Sequence, residues 1–227
     1  MAVQRINGYT DSRFPLEILR QHGAFLVNGE PWTFQIVSDC TAIVNAPAIS
    51  AEVLKEAAEE FRYYSGHITE FFDKAGNCLL RLPPVQRWEV EIDSLQPSQF
   101  SVDQEKCAAV GTFIHTASDV TVPVVRLPDG YLCVLDGHTR LYTAWQKGIR
   151  TAMVYACPQN EVDLEETAGF VQEARRRKIF HIRDMAAYTP AEQAEKWIGW
   201  CEAYFAAKQQ AASEAEATNP MKELSSK

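Results

Sequence analysis

In the first 85 residues, apolar and polar positions alternate in short runs broken by turn residues, a pattern that predicts a sheet. Residues 24–27, 32–37 and 41–45 are β-like runs separated by Asn28-Gly29-Glu30-Pro31 and by Ser38-Asp39, which predicts a hairpin or meander. Ser50 is then placed as an N-cap for residues 51–64, where Val53, Leu54, Ala57, Ala58 and Phe61 recur at spacings of three and four, the stripe of a packed helix. Residues 68–72 and 78–82, joined by Asp73-Lys74-Ala75-Gly76-Asn77, predict a second hairpin. Pro83-Pro84 interrupts both helix and sheet, because neither proline offers an N–H, and sets a module boundary.

From Arg87 onward strands and helices alternate. Residues 88–92 read as a strand, Gln96-Pro97-Ser98-Gln99 as a turn, and 103–115 as a helix opened by Asp103 with Cys107, Val110 and Ile114 on one side. Residues 122–127 and 131–135 are β-rich runs joined by Pro128-Asp129-Gly130. Asp136-Gly137-His138-Thr139-Arg140 leads into Leu141, Tyr142, Ala144 and Trp145 at helical spacing, with Gly148 as the stop and 151–157 as a last apolar strand. After Pro158 the chain reads as helical over 162–178 and again from Thr189-Pro190-Ala191-Glu192, where Thr189 is an N-cap, Pro190 takes the first helical position and Glu192 completes a capping box. The expected fold class is α+β, in four parts: an N-terminal α+β accessory module over 1–85, a mixed α/β domain over 86–158, a helical extension over 159–215 and a flexible tail over 216–227.

Composition narrows the setting more than the function. The 227 residues are enough to bury a core without covalent staples, and a 46% hydrophobic, 23% charged chain is one that folds. Thirty acidic residues against 22 basic give a net charge of -8, so a nucleic-acid contact would need a local basic patch. Arg175-Arg176-Arg177-Lys178 is the cluster that offers one, and its place at the end of a predicted helix, where cations oppose the dipole, favours a structural use. The six cysteines form no CxxC pair and no Cys/His cluster, so neither a zinc site nor a disulfide framework is expected. The first residues lack a signal-peptide core and no stretch approaches the roughly 20 apolar residues that span a bilayer, so the expectation is a cytoplasmic protein with no membrane partner.

The chemistry concentrates in residues 131–142. A strand running through a glycine turn into a helix brings unpaired amides and the positive end of the helix dipole to one spot. Arg140 supplies a fork for two phosphate oxygens, His138 a donor or proton shuttle near neutral pH, and Asp136 a magnesium ligand, directly or through water. The same residues have a plainer reading, with Asp136 as an N-cap, Gly137 as a turn residue, His138 as a partly satisfied surface group and Arg140 as a solvated cation. Phe61, Tyr63, Tyr64, Phe71 and Phe72 read as core rather than as a stacking platform, since Arg62 alone interleaves them. His115 reads as a helix C-terminal cap, and His67 and His181 have no partner legible in the sequence.

The order of Ser94-Leu95-Gln96-Pro97-Ser98-Gln99, a helix from Asp103, Val122-Pro123-Val124-Val125, the Pro128-Asp129-Gly130 hairpin and Leu135-Asp136-Gly137-His138-Thr139-Arg140-Leu141 resembles the ParB/sulfiredoxin superfamily over about residues 88–157. The resemblance does not reach the first 85 residues or the C-terminal helices. It implies a nucleotide-binding domain in which Gly137, His138, Thr139 and Arg140 cradle phosphates and Ser98 and Gln99 line the facing loop. Asp136 and His138 would be catalytic, and Asp136 would assist Mg2+ bound with ATP, ADP or CTP. Sulfiredoxins carry their catalytic cysteine between the glycine and the histidine of this turn, whereas here His138 follows Gly137 directly and Cys133 lies back in the strand.

The turn is most similar to that of free-serine kinases, which implies an ATP/ADP-dependent small-molecule kinase, or a nucleotide hydrolase, acting on a small hydroxyl substrate such as free serine. Those enzymes place a glutamate base soon after a proline, and the matching residue here is Gln99, whose amide accepts no proton at neutral pH. Asp103, Glu105 or His138 are the candidate substitutes. The alternative is a non-catalytic ParB-like DNA-associated regulator, although no helix-turn-helix is legible after Cys157.

Overall fold

The computed structural model describes residues 3–6, 11–38, 40–47, 50–157 and 162–217. Asp39 of the expected turn, the break at Pro158 with the first residues of the helical extension, and the tail beyond Ala217 lie outside the described residues. The fold is α+β, with two principal sheets.

The first sheet contains β1 (Val3–Arg5), β2 (Ala24–Val27), β3 (Glu30–Ile36), β4 (Thr41–Asn45), β5 (Glu70–Phe72) and β6 (Cys78–Arg81), paired in that order. Every pair is antiparallel except β4 and β5, which run parallel because α2 (Ala51–Ser65) carries the chain across. The β2–β3 hairpin closes through Asn28 and Gly29, both left-handed at φ 52° and 87°, the conformation that matches strand twist in a two-residue loop. Ser50 Oγ accepts the Val53 amide at 3.3 Å and starts α2, whose Leu54, Ala57, Ala58 and Phe61 bury against Phe25, Phe34 and Phe71 of the sheet. α1 (Leu16–Arg20), a single short helix that periodicity does not reveal, precedes β2.

The second sheet has the order β7-β12-β10-β11-β8, with β7 (Arg87–Glu91), β8 (Leu95–Pro97), β10 (Thr121–Arg126), β11 (Leu132–Val134) and β12 (Thr151–Ala156). Its centre, β10, is buried from Thr121 through Val125, as expected of a strand covered on both faces. Val122, Val124, Val134 and Val154 face one core together with Leu141 and Ala144 of α4 (His138–Gln146). Val125, Cys133 and Tyr155 face another with Val162 and Val171, the latter from α5 (Leu164–Arg176). β9 (Ser101–Asp103) and β13 (Ala186–Tyr188) form a separate parallel pair.

Three expectations differ from the structure. Gln96 and Pro97, the first half of the expected 96–99 turn, are strand, because Leu95, Gln96 and Pro97 are all buried and pair in parallel with β11; the chain leaves the sheet at Ser98. The helix from Asp103 is α3 (Gln104–Gly111) and stops at Gly111, after which Ile114 turns inward to full burial. His115 therefore caps nothing; its amide donates to Asp119 Oδ2 at 2.8 Å. The capping box at Thr189 opens α6 (Pro190–Gln193), which continues through a π-helical turn over Ala194–Ile198 into α7 (Gly199–Ala217). Among the described residues no helix is long and apolar enough to cross a membrane.

Candidate functional site

Between the end of β11 and the start of α4 the chain reverses through Gly137, which sits at φ 88°. A Cβ there would lie 2.5 Å from Val122 Cγ1 and 2.9 Å from Arg140 Nη2, so both backbone and space demand glycine. Gly137 is the N-cap and makes no side-chain cap bond, which leaves the first amides of α4 without an intrahelical partner. Asp136 is not the cap. Its Oδ2 takes Arg140 Nη2 at 3.1 Å and its Oδ1 faces His22 Nε2 at 3.7 Å, while Arg140 Nη1 donates to the Thr121 carbonyl at 2.9 Å. Burial pushes the Asp136 carboxyl up, but His22, then Arg140 and His138, outweigh it and hold the group well below the usual carboxylate range.

His138 is buried, and its Nε2 accepts the Ser98 amide at 3.1 Å and lies 3.4 Å from Ser98 Oγ. A ring nitrogen that accepts carries no proton, so the hydrogen-bond network assigns the proton to Nδ1. Burial, only partly offset by Asp136, lowers the His138 pKa to about 4. The Ser98 hydroxyl donates to the Val134 carbonyl at 2.7 Å. His138 thus fastens the loop after β8 to the start of α4, with half-buried Gln99 and Thr139 as the neighbours of that latch. Asp103 Oδ1 accepts the amides of Glu105 and Lys106 at 2.8 and 3.1 Å, the work of an N-cap, and Glu105 is exposed on α3. The Cys133 thiol is buried and pushed up to about 12 by that burial, so it is an inert core group.

The first sheet's unit supplies groups that sequence reasoning missed. His22, left-handed at φ 53°, brings its ring to 4.8 Å from that of Tyr64 near the end of α2. The Gly66 amide donates to Tyr155 Oη of β12 at 2.9 Å, and a Cβ on Gly66 would meet that ring at 2.6 Å. Beside it, His67 Nδ1 is buried and has no hydrogen-bond partner among the described residues. Burial, followed by the charges of Arg140, Arg87 and Arg62, lowers the His67 pKa to about 3. Arg62 Nη2 donates to the carbonyls of Gly66 and Pro83 at 2.9 and 2.8 Å. No sequence signal joins these residues to the turn; the two sheets bring them together by packing.

The three arginines of the basic cluster are paired within the chain. Arg175 donates from Nε to Gln96 Oε1 at 2.8 Å and from Nη2 to Asp129 Oδ2 at 2.9 Å. Arg176 and Arg177 both pair with Glu173, and the Arg177 guanidinium lies 3.9 Å from the Phe100 ring centroid. His181 also has a partner, its Nδ1 lying 2.9 Å from the Asp93 carbonyl. Among the described residues no three His, Cys, Asp or Glu side chains converge on a metal position. Magnesium at the turn would therefore rest on Asp136 alone and on phosphate oxygens and water, a coordination this ion accepts.

No family model matches the chain, and no curated protein matches it. Among solved structures, the crystal structure of protein Atu1540 from Agrobacterium tumefaciens is matched at a TM-score of 0.31 and 17% identity, over 45% of this chain and 62% of that one. The chain thus spans less than two thirds of that protein's length, and a likeness of this size does not fix a fold.

Proposed function

We propose that residues 86–158 are a ParB/sulfiredoxin-like nucleotide-binding domain whose phosphate site is the 136–140 turn, with ATP, ADP or CTP and Mg2+ as ligands. The observation that carries this reading is Gly137, left-handed and overlain by the Arg140 guanidinium, so that the open amides of α4 and a guanidinium with donors beyond those given to Thr121 and Asp136 serve one place. Arg140 and those amides bind and orient phosphate oxygens. Asp136 is the carboxylate that would hold magnesium, which when bound neutralises phosphate charge.

Binding is better supported than transfer. A phosphoryl acceptor such as free serine must lose a proton, yet Gln99 is an amide, Asp103 caps α3 and His138 Nε2 already accepts the Ser98 amide. Hydrolysis, or transfer to a small hydroxyl compound, is accordingly proposed as a slow activity of a nucleotide binder. The DNA-associated alternative gains no support from the basic cluster, since Arg175, Arg176 and Arg177 are spent on Asp129, Gln96 and Glu173.

The test is the thermal unfolding midpoint with ATP, ADP, CTP and GTP, each with and without magnesium. A ligand at a hundred times its Kd stabilises the folded state by about 2.7 kcal/mol. We expect a selective, magnesium-dependent rise that is lost in a folded Arg140→Ala protein. No rise with any nucleotide at millimolar concentration overturns the reading, and an undiminished rise in Arg140→Ala removes that residue from the site.

A further inference from the structure

His22 stands where a helix end of this geometry ordinarily carries glycine. After α1 the Gly23 amide donates to the Ile18 carbonyl at 3.0 Å and the His22 amide to the Leu19 carbonyl at 3.1 Å, a paired closure that puts residue 22 in the left-handed region. Glycine is the usual residue there because a Cβ is strained at positive φ. This chain has its glycine one position later, at Gly23, where a Cβ would lie 1.9 Å from the Phe34 carbonyl oxygen. The end of α5 closes in the same way, with Lys178 left-handed and the amides of Lys178 and Ile179 on the carbonyls of Arg175 and Ala174. Lys178 is exposed, as suits a cation at a helix C-terminus, whereas the His22 ring turns inward and is 21% exposed.

That ring packs at 4.8 Å on Tyr64, which is itself covered by the Arg5 guanidinium at 4.8 Å. With this wall behind it, His22 Nε2 lies 3.7 Å from Asp136 Oδ1, too long for a hydrogen bond but close enough for a ring N–H to attract a carboxylate that is 28% exposed. Asp136 Oδ2 holds Arg140 Nη2, and Arg140 Nη1 is on the Thr121 carbonyl. One carboxylate is thus set between the two units, with an imidazole facing one oxygen and a guanidinium bonded to the other. The docking of the units has a tie of its own, from the Gly66 amide to Tyr155 Oη.

We propose that His22 is a positioning residue of the 136–140 turn, holding Asp136 Oδ1 so that Oδ2 keeps the Arg140 guanidinium over Gly137, where its remaining donors meet an anion. The turn is then complete only when the first 85 residues are docked on it. For its ligand the inference rests on the nucleotide reading above, and it adds to that reading how the site is assembled. His22 touches neither phosphate nor metal; it acts through Asp136.

His22→Gly removes the ring and leaves the helix end in a conformation that glycine prefers, so the variant should fold. Two measurements on the full chain separate the inference from the nucleotide reading. The first needs no ligand: the NMR signals of the Arg140 guanidinium N–H groups, assigned by their loss in Arg140→Lys. In the wild type they should be those of a group held in place, and in His22→Gly they should broaden and average. The second is the Kd for ATP with magnesium, expected to rise about fivefold in His22→Gly and to recover in His22→Gln, whose amide N–H reaches toward the same oxygen. In an Asp136→Ala background His22→Gly should weaken binding no further, because the residue it acts through is gone. Unchanged Arg140 signals in His22→Gly, a full loss in the Asp136→Ala background, or tighter ATP binding because the imidazole competes with magnesium for Oδ1 overturns the positioning role. A wild type that binds no nucleotide overturns the nucleotide reading, and the Arg140 signals still decide whether His22 orders the turn.

Discussion

The aromatic core beneath α2 and the polar cluster around the 136–140 turn both lie between a helix and a sheet, and they are built on opposite terms. In the first, Phe34 stacks on Phe61 at 5.0 Å and meets Phe25 and Phe71 edge-on at 5.4 and 5.9 Å, all four rings fully buried. Such contacts stabilise outright. In the second, a carboxylate, a guanidinium and the imidazoles of His22 and His138 are largely drawn out of water and held by partners from several elements. Desolvating those groups is costly even when they are paired. The contrast teaches that stability is concentrated under α2, while the turn accepts a penalty that binding a ligand can redeem.

The largest effect that sharpens this division is expected from Phe61→Ala. Removing a fully buried ring from the α2 core should cost about 3–5 kcal/mol, read as a lower denaturation midpoint. Where the variant stays folded, its magnesium-dependent response to nucleotide at the 136–140 turn should match the wild type. A folded variant that loses ligand binding would break the division between the two regions.

Next in size is a pair of glycines with one backbone conformation and different surroundings. Gly29 and Gly137 sit at φ 87° and 88°, but nothing lies within 4 Å of the Cβ position at Gly29, whereas Val122 and Arg140 crowd it at Gly137. Gly29→Ala should cost about 1 kcal/mol, the conformational penalty alone. Gly137→Ala adds overpacking and should cost about 2–5 kcal/mol, and it should also displace Arg140 and weaken phosphate binding. Equal losses in the two variants, measured by denaturant unfolding, would refute the steric argument for Gly137.

The same division explains what the sequence made legible. Ala24–Val27, Thr41–Asn45, the Ser50 cap, the Thr189 capping box and the α4 start are local events, set by alternation, turn residues and capping side chains within a few positions of each other. The short α1 and β13 carry too few residues for periodicity to register, and β8 escaped because Gln96 and Pro97, turn-like in composition, are buried against β11. Of the site, the glycine turn with Asp136, His138 and Arg140 was visible as residues, but their partners were not. Asp136 read as an N-cap or a metal ligand, and its observed partners are Arg140 and a histidine from before β2. His22, with Tyr64 against its ring, reaches the turn only through the docking of the two sheets, to which no local pattern is sensitive.

The effect most specific to the polar region is in pH. His138 and His67 have pKa values of about 4 and about 3 in the folded protein, both below the ordinary value of 6.5, because burial disfavours their charged forms. As pH falls below 6.5 the unfolded chain binds protons that these folded imidazoles refuse. The stability they contribute is thus present above pH 6.5 and is lost on acidification, down to about pH 4 for His138 and about pH 3 for His67. Each fully refusing imidazole gives a slope of at most about 1.4 kcal/mol per pH unit. Asp73, Asp119, Asp136 and Glu192, all lowered, act in the same direction, but only once pH enters the ordinary carboxylate range, so the interval from about 6.5 to 5 isolates the imidazoles. In that interval Phe61→Ala should lower the whole stability curve without changing its slope, since the α2 core holds no titrating group, whereas His67→Phe should flatten it. A wild-type profile already flat between pH 6.5 and 5 would mean that neither imidazole is held neutral by burial, and the polar region would lose the feature that sets it apart from the aromatic one.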